Sequence, residues 1–217
     1  MSLVEDIIAH KVFLGHPKNH SNPKTSQFWA GVYNGWVVFN PDLVAERIVG
    51  ATSLISDAKK NKKSILILGD KEVYKDDVVH IANNHNVMYM NYKIPAGVVS
   101  NNETILSMIK TLTNLESFCQ SEDFNNLTKK EQSMKRRLLN KVKRVYAGVT
   151  GMKKTPDLII IIDGQGLKKF VHECELLKTP SIVLCSSNFD LWSKLHVIPC
   201  NINSLKSISF VLNTILS

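Results

Sequence analysis

The chain has 217 residues, with 27 Lys or Arg against 19 Asp or Glu and a formal net charge of +8. That length suits one full-sized domain with an appendage, and 44% apolar residues with mixed charges exclude a disordered chain. No run of eighteen apolar residues occurs, which argues against a membrane span. The opening MSLVEDIIAHKVFLGH lacks both a basic start with a long apolar core and the Arg- and Ser-rich character of an import peptide, so a mature chain is expected.

From the N-terminus, His16 and His20 stand four apart, but Pro17 between them argues against a helix that would align them on a metal. The first apolar run, WVVF at 36–39, reads as a strand. The segment 41–60 opens with Pro41, suited to a first helical turn, and sets Leu43, Ile48, Ala51 and Ile55 near one face. Strands are then expected at SILILG (64–69) and VMYM (87–90), with a helix over 72–85 between them. Beyond residue 157 come LIIIID (158–163), a helix over 167–177, SIVLCS (181–186), HVIPC (196–200) and a closing helix over 204–216. Continuous apolar runs point to strands covered on both faces, as in a parallel sheet. Their alternation with helices predicts a doubly wound α/β body.

One region breaks that rhythm. Between VMYM and LIIIID no strand is expected. Ile105, Met108, Leu112, Leu115 and Cys119 recur at intervals of three and four, the seam of a coiled coil. After the polar QSEDFNN, a second stripe holds Met134, Leu138, Val142, Val145 and Val149. Two such helices predict an antiparallel hairpin over 102–149, inserted into a body formed by 1–101 and 150–217.

The basic surplus lies on this insertion. Residues 127–154 hold ten Lys or Arg and a single acid, Glu131, while the remainder is close to neutral. Each residue turns a helix by about 100°, so positions seven apart nearly superimpose, about 10.5 Å on. Lys129, Arg136 and Lys143 then form one row, and Lys130, Arg137 and Arg144 a second, with Lys135 and Lys141 beside them and Lys153 and Lys154 beyond. A lysine-rich solvated face is the plain alternative. Such faces usually interleave Glu with Lys four residues apart, and here only Glu131 is available. Uncompensated rows of cations point instead to a polyanion, without saying whether it is RNA, DNA or a membrane surface.

Catalytic chemistry finds little support. IIDGQGLKK places Gly164 and Gly166 after a strand and before a helix, yet lacks the third glycine of a dinucleotide fingerprint. LGDKE is no Walker loop, and neither G-x-S-x-G nor H-E-x-x-H occurs. Asp70, Asp163 and Asp190 fall after strands, where carboxylates commonly cap helices. Cys119, Cys174, Cys185 and Cys200 are widely spaced and read as free thiols. No metal or cofactor is expected. The competing reading is a flavodoxin-like nucleotide-binding enzyme using the loops after Gly69, Asp163 and Ser186.

A set of collinear motifs carries a family resemblance. LGH at 14–16 followed by NP at 22–23 resembles the F-G-H-x4-W-N-P opening of small-subunit ribosomal protein two, the universal S-two family. GVYNGWVVFN and ILILGDKE resemble its next two strands, and LESF with FNNLTKKE its helical hairpin. AGVTGMKKTPDLIIIID and IPCNINSLKSI continue the match to about Ile208. The resemblance implies a flavodoxin-like α/β body with an inserted coiled-coil hairpin, and a structural, non-enzymatic role in the small ribosomal subunit. It implies contact with small-subunit rRNA and other ribosomal proteins, and no membrane or small-molecule substrate.

The expected phosphate contacts are the basic residues of 129–154 named above, with Lys93 and, around the first loops, His16, Lys18, Asn22 and Lys24. Several motifs depart from the family. R-W-L-G-G becomes KIPAG, the Trp before Asn22 is Ser21, and D-T-N-x-D-P becomes SSNFDL. With Lys outnumbering Arg 23 to 4, these departures suggest a mitochondrial, organelle-encoded member.

Overall fold

In the computed structural model, which describes residues 2–191 and 195–217, the chain opens with α1 (Leu3–Ala9), started by a capping box between Ser2 and Glu5. Strands β1 (Leu14–Pro17), β2 (Trp29–Tyr33) and β3 (Trp36–Phe39) form a small antiparallel sheet in the order β1-β3-β2. The β2–β3 hairpin turns through Asn34 and Gly35, both at positive φ, as a two-residue turn requires. The run WVVF was expected in the parallel sheet and belongs here instead. Its alternating burial, with Val37 and Phe39 inside and Trp36 exposed, is that of a strand with one wet face.

Helix α2 (Pro41–Lys60) starts on Asn40, whose side chain accepts from the Asp42 amide at 2.9 Å. It leads to β4 (Ile65–Leu68), α3 (Lys75–Asn84) and β5 (Met88–Met90). Next come α4 (Asn102–Gln120), the single turn α5 (Glu122–Asn125) and α6 (Lys129–Tyr146). The chain ends with β6 (Leu158–Ile162), α7 (Lys168–Leu176), β7 (Ser181–Cys185), β8 (His196–Pro199) and α8 (Leu205–Leu216).

The five later strands pair parallel in the order β5-β4-β6-β7-β8, that is second-first-third-fourth-fifth, the order of flavodoxin-like sheets. Strand periodicity divides each apolar run between two layers. Ile65, Ile67, Ile160, Ile162, Ile182, Leu184 and Ile198 pack with buried residues of α1, α2, α3, α8 and the small sheet. Leu66, Leu68, Ile159, Ile161, Val183 and Val197 pack with those of α4, α6 and α7.

Helices α4 and α6 lie against each other; the stripe counted on α4 faces inward, whereas the stripe counted on α6 does so only from Val142 onward. On α4, Ile105, Ile109 and Leu112 are buried, with Met108 and Leu115 only partly so. On α6, Val142 and Tyr146 are buried and Leu139 and Val145 partly, with Val149 buried just beyond the helix, whereas Met134 is 62% and Leu138 45% exposed. The inner row of α6 is therefore Gln132, Leu139, Val142 and Tyr146, with Lys135 in register but exposed. Polar residues take its outer end by local bonding. Gln132 Nε2 donates to the Phe124 and Leu127 carbonyls at 3.1 Å, and Lys135 Nζ lies 5.6 Å from the Phe118 ring centre. An apolar count cannot see such a row.

The C-terminal edge of the sheet is closed by charge. Where the strand order reverses, between β4 and β6, Lys71 Nζ meets Asp163 Oδ2 at 2.7 Å, with the Asp163 side chain only 6% exposed. Asp163 also accepts the Gly166 amide at 3.1 Å. Removing Lys71 leaves a buried carboxylate without its cation. Lys71→Met should lower the unfolding free energy in urea by about 2 kcal/mol, less than the roughly 3–5 kcal/mol of a fully buried pair because Lys71 keeps some solvent. The double variant Lys71→Met, Asp163→Asn should recover part of that loss. A single variant as stable as the parent would show the pair to be idle.

Candidate nucleic-acid interface

Helix α6 begins on Thr128, whose hydroxyl accepts the Glu131 amide, while Glu131 Oε2 accepts the Thr128 amide at 3.0 Å and its hydroxyl at 2.7 Å. These bonds to Thr128 hold the Glu131 carboxyl below its ordinary pKa. The only acid of the basic stretch is thus spent on starting the helix, and it does not neutralise the rows that follow.

The two basic rows are unequal. With Leu139, Val142 and Tyr146 turned inward, helical geometry sets Lys130, Arg137 and Arg144 opposite them, with Lys141 alongside. All four are exposed, and none has an ion-pair partner among the described residues. Lys129, Arg136 and Lys143 lie on the flank that turns back to α4 and α5. Arg136 stacks 5.3 Å from the Phe124 ring centre, and Lys143 Nζ reaches Glu116 at 2.9 Å. Lys135 is drawn to Phe118 as described. Past the helix, Lys153 is exposed, and Lys154 is paired with Asp157 at 2.8 Å.

The candidates on the body are mostly committed to its own structure. His16 Nδ1 shares a hydrogen bond with Ser186 Oγ at 2.7 Å, its amide donates to Ser187 Oγ at 2.8 Å, and Asn203 Nδ2 lies 3.3 Å from Nε2. Burial, then the Lys71 ammonium, holds its pKa below the usual histidine value, so the ring braces the small sheet against β7 as a neutral group. Gly15 makes that approach possible, since a Cβ there would come within 2.8 Å of Ser187 Oγ. Asn22 Oδ1 accepts the Lys24 amide at 3.0 Å, and Lys24 Nζ pairs with Asp190 at 2.7 Å. Lys18 and Lys93 are exposed. Lys75 and Tyr92, which no sequence pattern links to the basic stretch, lie beside Lys143 and Arg144 at the foot of α6.

Comparison with known proteins places this geometry. The model of the family described as ribosomal protein S2 matches residues 7–217. The chain belongs to the ribosomal protein S2 family. Among its relatives is a small ribosomal subunit protein uS2 from the cyanobacterium Picosynechococcus, 28% identical over 97% of this chain and 82% of the relative. The protein of the same name from Petrotoga mobilis is 30% identical over 92% of this chain and 69% of the relative. That from Francisella tularensis is 27% identical over 97% and 88%.

Membership of this ribosomal family makes the chain a structural component rather than an enzyme. The geometry of the G-x-G segment agrees. Asp163 sits at positive φ with its carboxylate against Gly166, so an anion already fills the turn where a phosphate would be cradled. Among the described residues, no group of three or more His, Cys, Asp or Glu could hold a metal ion, and no helix is long and apolar enough to cross a membrane.

The Lys154–Asp157 pair has a pH signature. The hydrogen bond from Lys154, then that from the Ser64 amide, lowers the Asp157 pKa to about 2. A depressed carboxylate stabilises the fold above its unfolded value, near 3.8, and that contribution disappears as pH falls through about 2. Asp157→Asn should therefore be less stable than the parent at pH 6, with the gap closing towards pH 2 in urea titrations followed by circular dichroism. A gap independent of pH would contradict the assignment.

Proposed function

We propose that this S2 family chain is a structural, non-catalytic constituent of the small ribosomal subunit. It binds small-subunit rRNA through α6 and meets neighbouring ribosomal proteins through its α/β body. The observation that carries this reading is the outward row Lys130, Arg137 and Arg144 with Lys141, exposed along one helix without internal counter-charge. Phosphates would neutralise it, positioning the protein without reading sequence. The matched relatives are named as small-subunit proteins, which supports the same partner.

Two finer features belong to the proposal. Residues 102–149 form an inserted antiparallel hairpin of coiled-coil type; the pairs Phe118 with Lys135, Phe124 with Gln132 and Glu116 with Lys143 support it. The ribosome served is mitochondrial; the Lys-for-Arg bias and the altered KIPAG and SSNFDL motifs support that location. Fractionating the source cells and probing organelle-derived small subunits by mass spectrometry tests the location. Recovery only in cytosolic particles would oppose it.

Reversing Lys130, Arg137, Lys141 and Arg144 to Glu should leave the circular dichroism spectrum intact and abolish co-sedimentation with small subunits on sucrose gradients. Binding of the free protein to an rRNA fragment should lose about one unit of log–log salt slope for each phosphate contact removed. A variant that assembles like the parent would reduce the row to solvated surface.

A further inference from the structure

Between the foot of α6 and the body lies a notch of about 440 Å³ that the basic row alone does not explain. We infer that it receives the base of one unpaired RNA nucleotide, an inference that rests on the rRNA-binding reading above. Lys75, Lys143 and Arg144 line it with three cations, Tyr89 and Tyr92 with two aromatic rings, and Asn91 with an amide. No lining residue is acidic. Two of these cations have carboxylate partners, Lys75 with Glu72 at 3.4 Å and Lys143 with Glu116 at 2.9 Å. Arg144 has no acidic partner among the described residues, which leaves the notch with a net positive wall.

The notch is built by the backbone. Gly148, just past α6, packs so closely on β5 that a Cβ would meet the Tyr89 ring at 2.7 Å. That approach brings Lys143 and Arg144 of α6 into the same lining as the tyrosines of the body. Lys75 Nζ lies 4.9 Å from the Tyr92 ring centre, yet Tyr92 remains 44% exposed, so the ring keeps open surface on which a base can stack. Aromatic rings beside cations are how proteins hold splayed-out RNA bases, whose stacking energy is available only when the base has left its helix.

Continuity favours RNA over an acidic peptide. Arg144 is both the last member of the outward row and a wall of the notch. A strand following Lys130 and Arg137 for about 21 Å along α6 arrives at the notch without leaving the protein. An acidic peptide would use the cations and leave the tyrosine faces without a stacking partner.

Fluorescence anisotropy with two labelled RNAs tests this: a perfect duplex, and the same duplex carrying one unpaired nucleotide. The wild-type chain should bind the bulged RNA about tenfold more tightly, the worth of one stacked base. Tyr92→Ala should erase that preference while leaving affinity for the perfect duplex unchanged, and Tyr92→Phe should retain it. Equal binding of the two RNAs by the wild-type chain, or a preference that survives Tyr92→Ala, would overturn the notch and leave the basic row standing. Failure to bind either RNA would overturn the rRNA-binding reading and the notch with it.

Discussion

Cations held in a row along a helix repel one another, and a helix relieves that repulsion from within only by placing acids three or four residues away. Helix α6 has one acid, Glu131, bonded at 2.7 Å to the Thr128 hydroxyl that caps its first turn. The proposed rRNA contact follows from how the remaining charge is distributed. The flank row is partly relieved by its neighbours, through Glu116 of α4 and the ring of Phe124 on α5. The outer row has no ion-pair partner among the described residues, which is the basis for the rRNA contact proposed above.

The body makes that row usable by holding the arm in one place. The buried ends of α4 and α6 join the same apolar cluster as Leu66, Ile159 and Val183 of the parallel sheet, so the arm is rooted in the core. At the other sheet edge, Lys71 and Asp163 close the reversal point, and His16, Ser186 and Ser187 dock the small antiparallel sheet. In many flavodoxin-like proteins this edge receives a ligand. Here Lys71 is paired with Asp163 and His16 with Ser186 and Ser187, while Tyr74 Oη and Asn188 Oδ1 are buried without a hydrogen-bond partner among the described residues.

Much of the body was legible in the sequence because period and burial agree there. ILIL, LIIII and SIVLC are buried at every position, as strands covered on both faces must be. Of the small sheet only β3 was legible, since LGHP carries too little apolar character and WAGVY is exposed beyond Trp29. On α6 the count held only for the second half of the helix. Gln132 is held inward by carbonyls while Met134 and Leu138 turn out, so counting apolar residues found the seam from Val142 onward and missed its first half. The density of positive charge could be read directly. Its division into a relieved and an unrelieved row could not, because Glu116 and Phe124 belong to other helices. The foot of the arm was equally hidden, joining Lys75 and Tyr92 to Arg144 only through the fold.

If rRNA covers the outer row of α6, its lysines change reactivity when the protein joins the subunit. Acetylation of free amines, read residue by residue by mass spectrometry, can be compared between the isolated chain and the chain within assembled small subunits. Lys130 and Lys141 should react readily in the isolated protein and become strongly protected in the particle. If both react at the same rate in the two states, the outer row of α6 meets nothing, and the electrostatic argument fails.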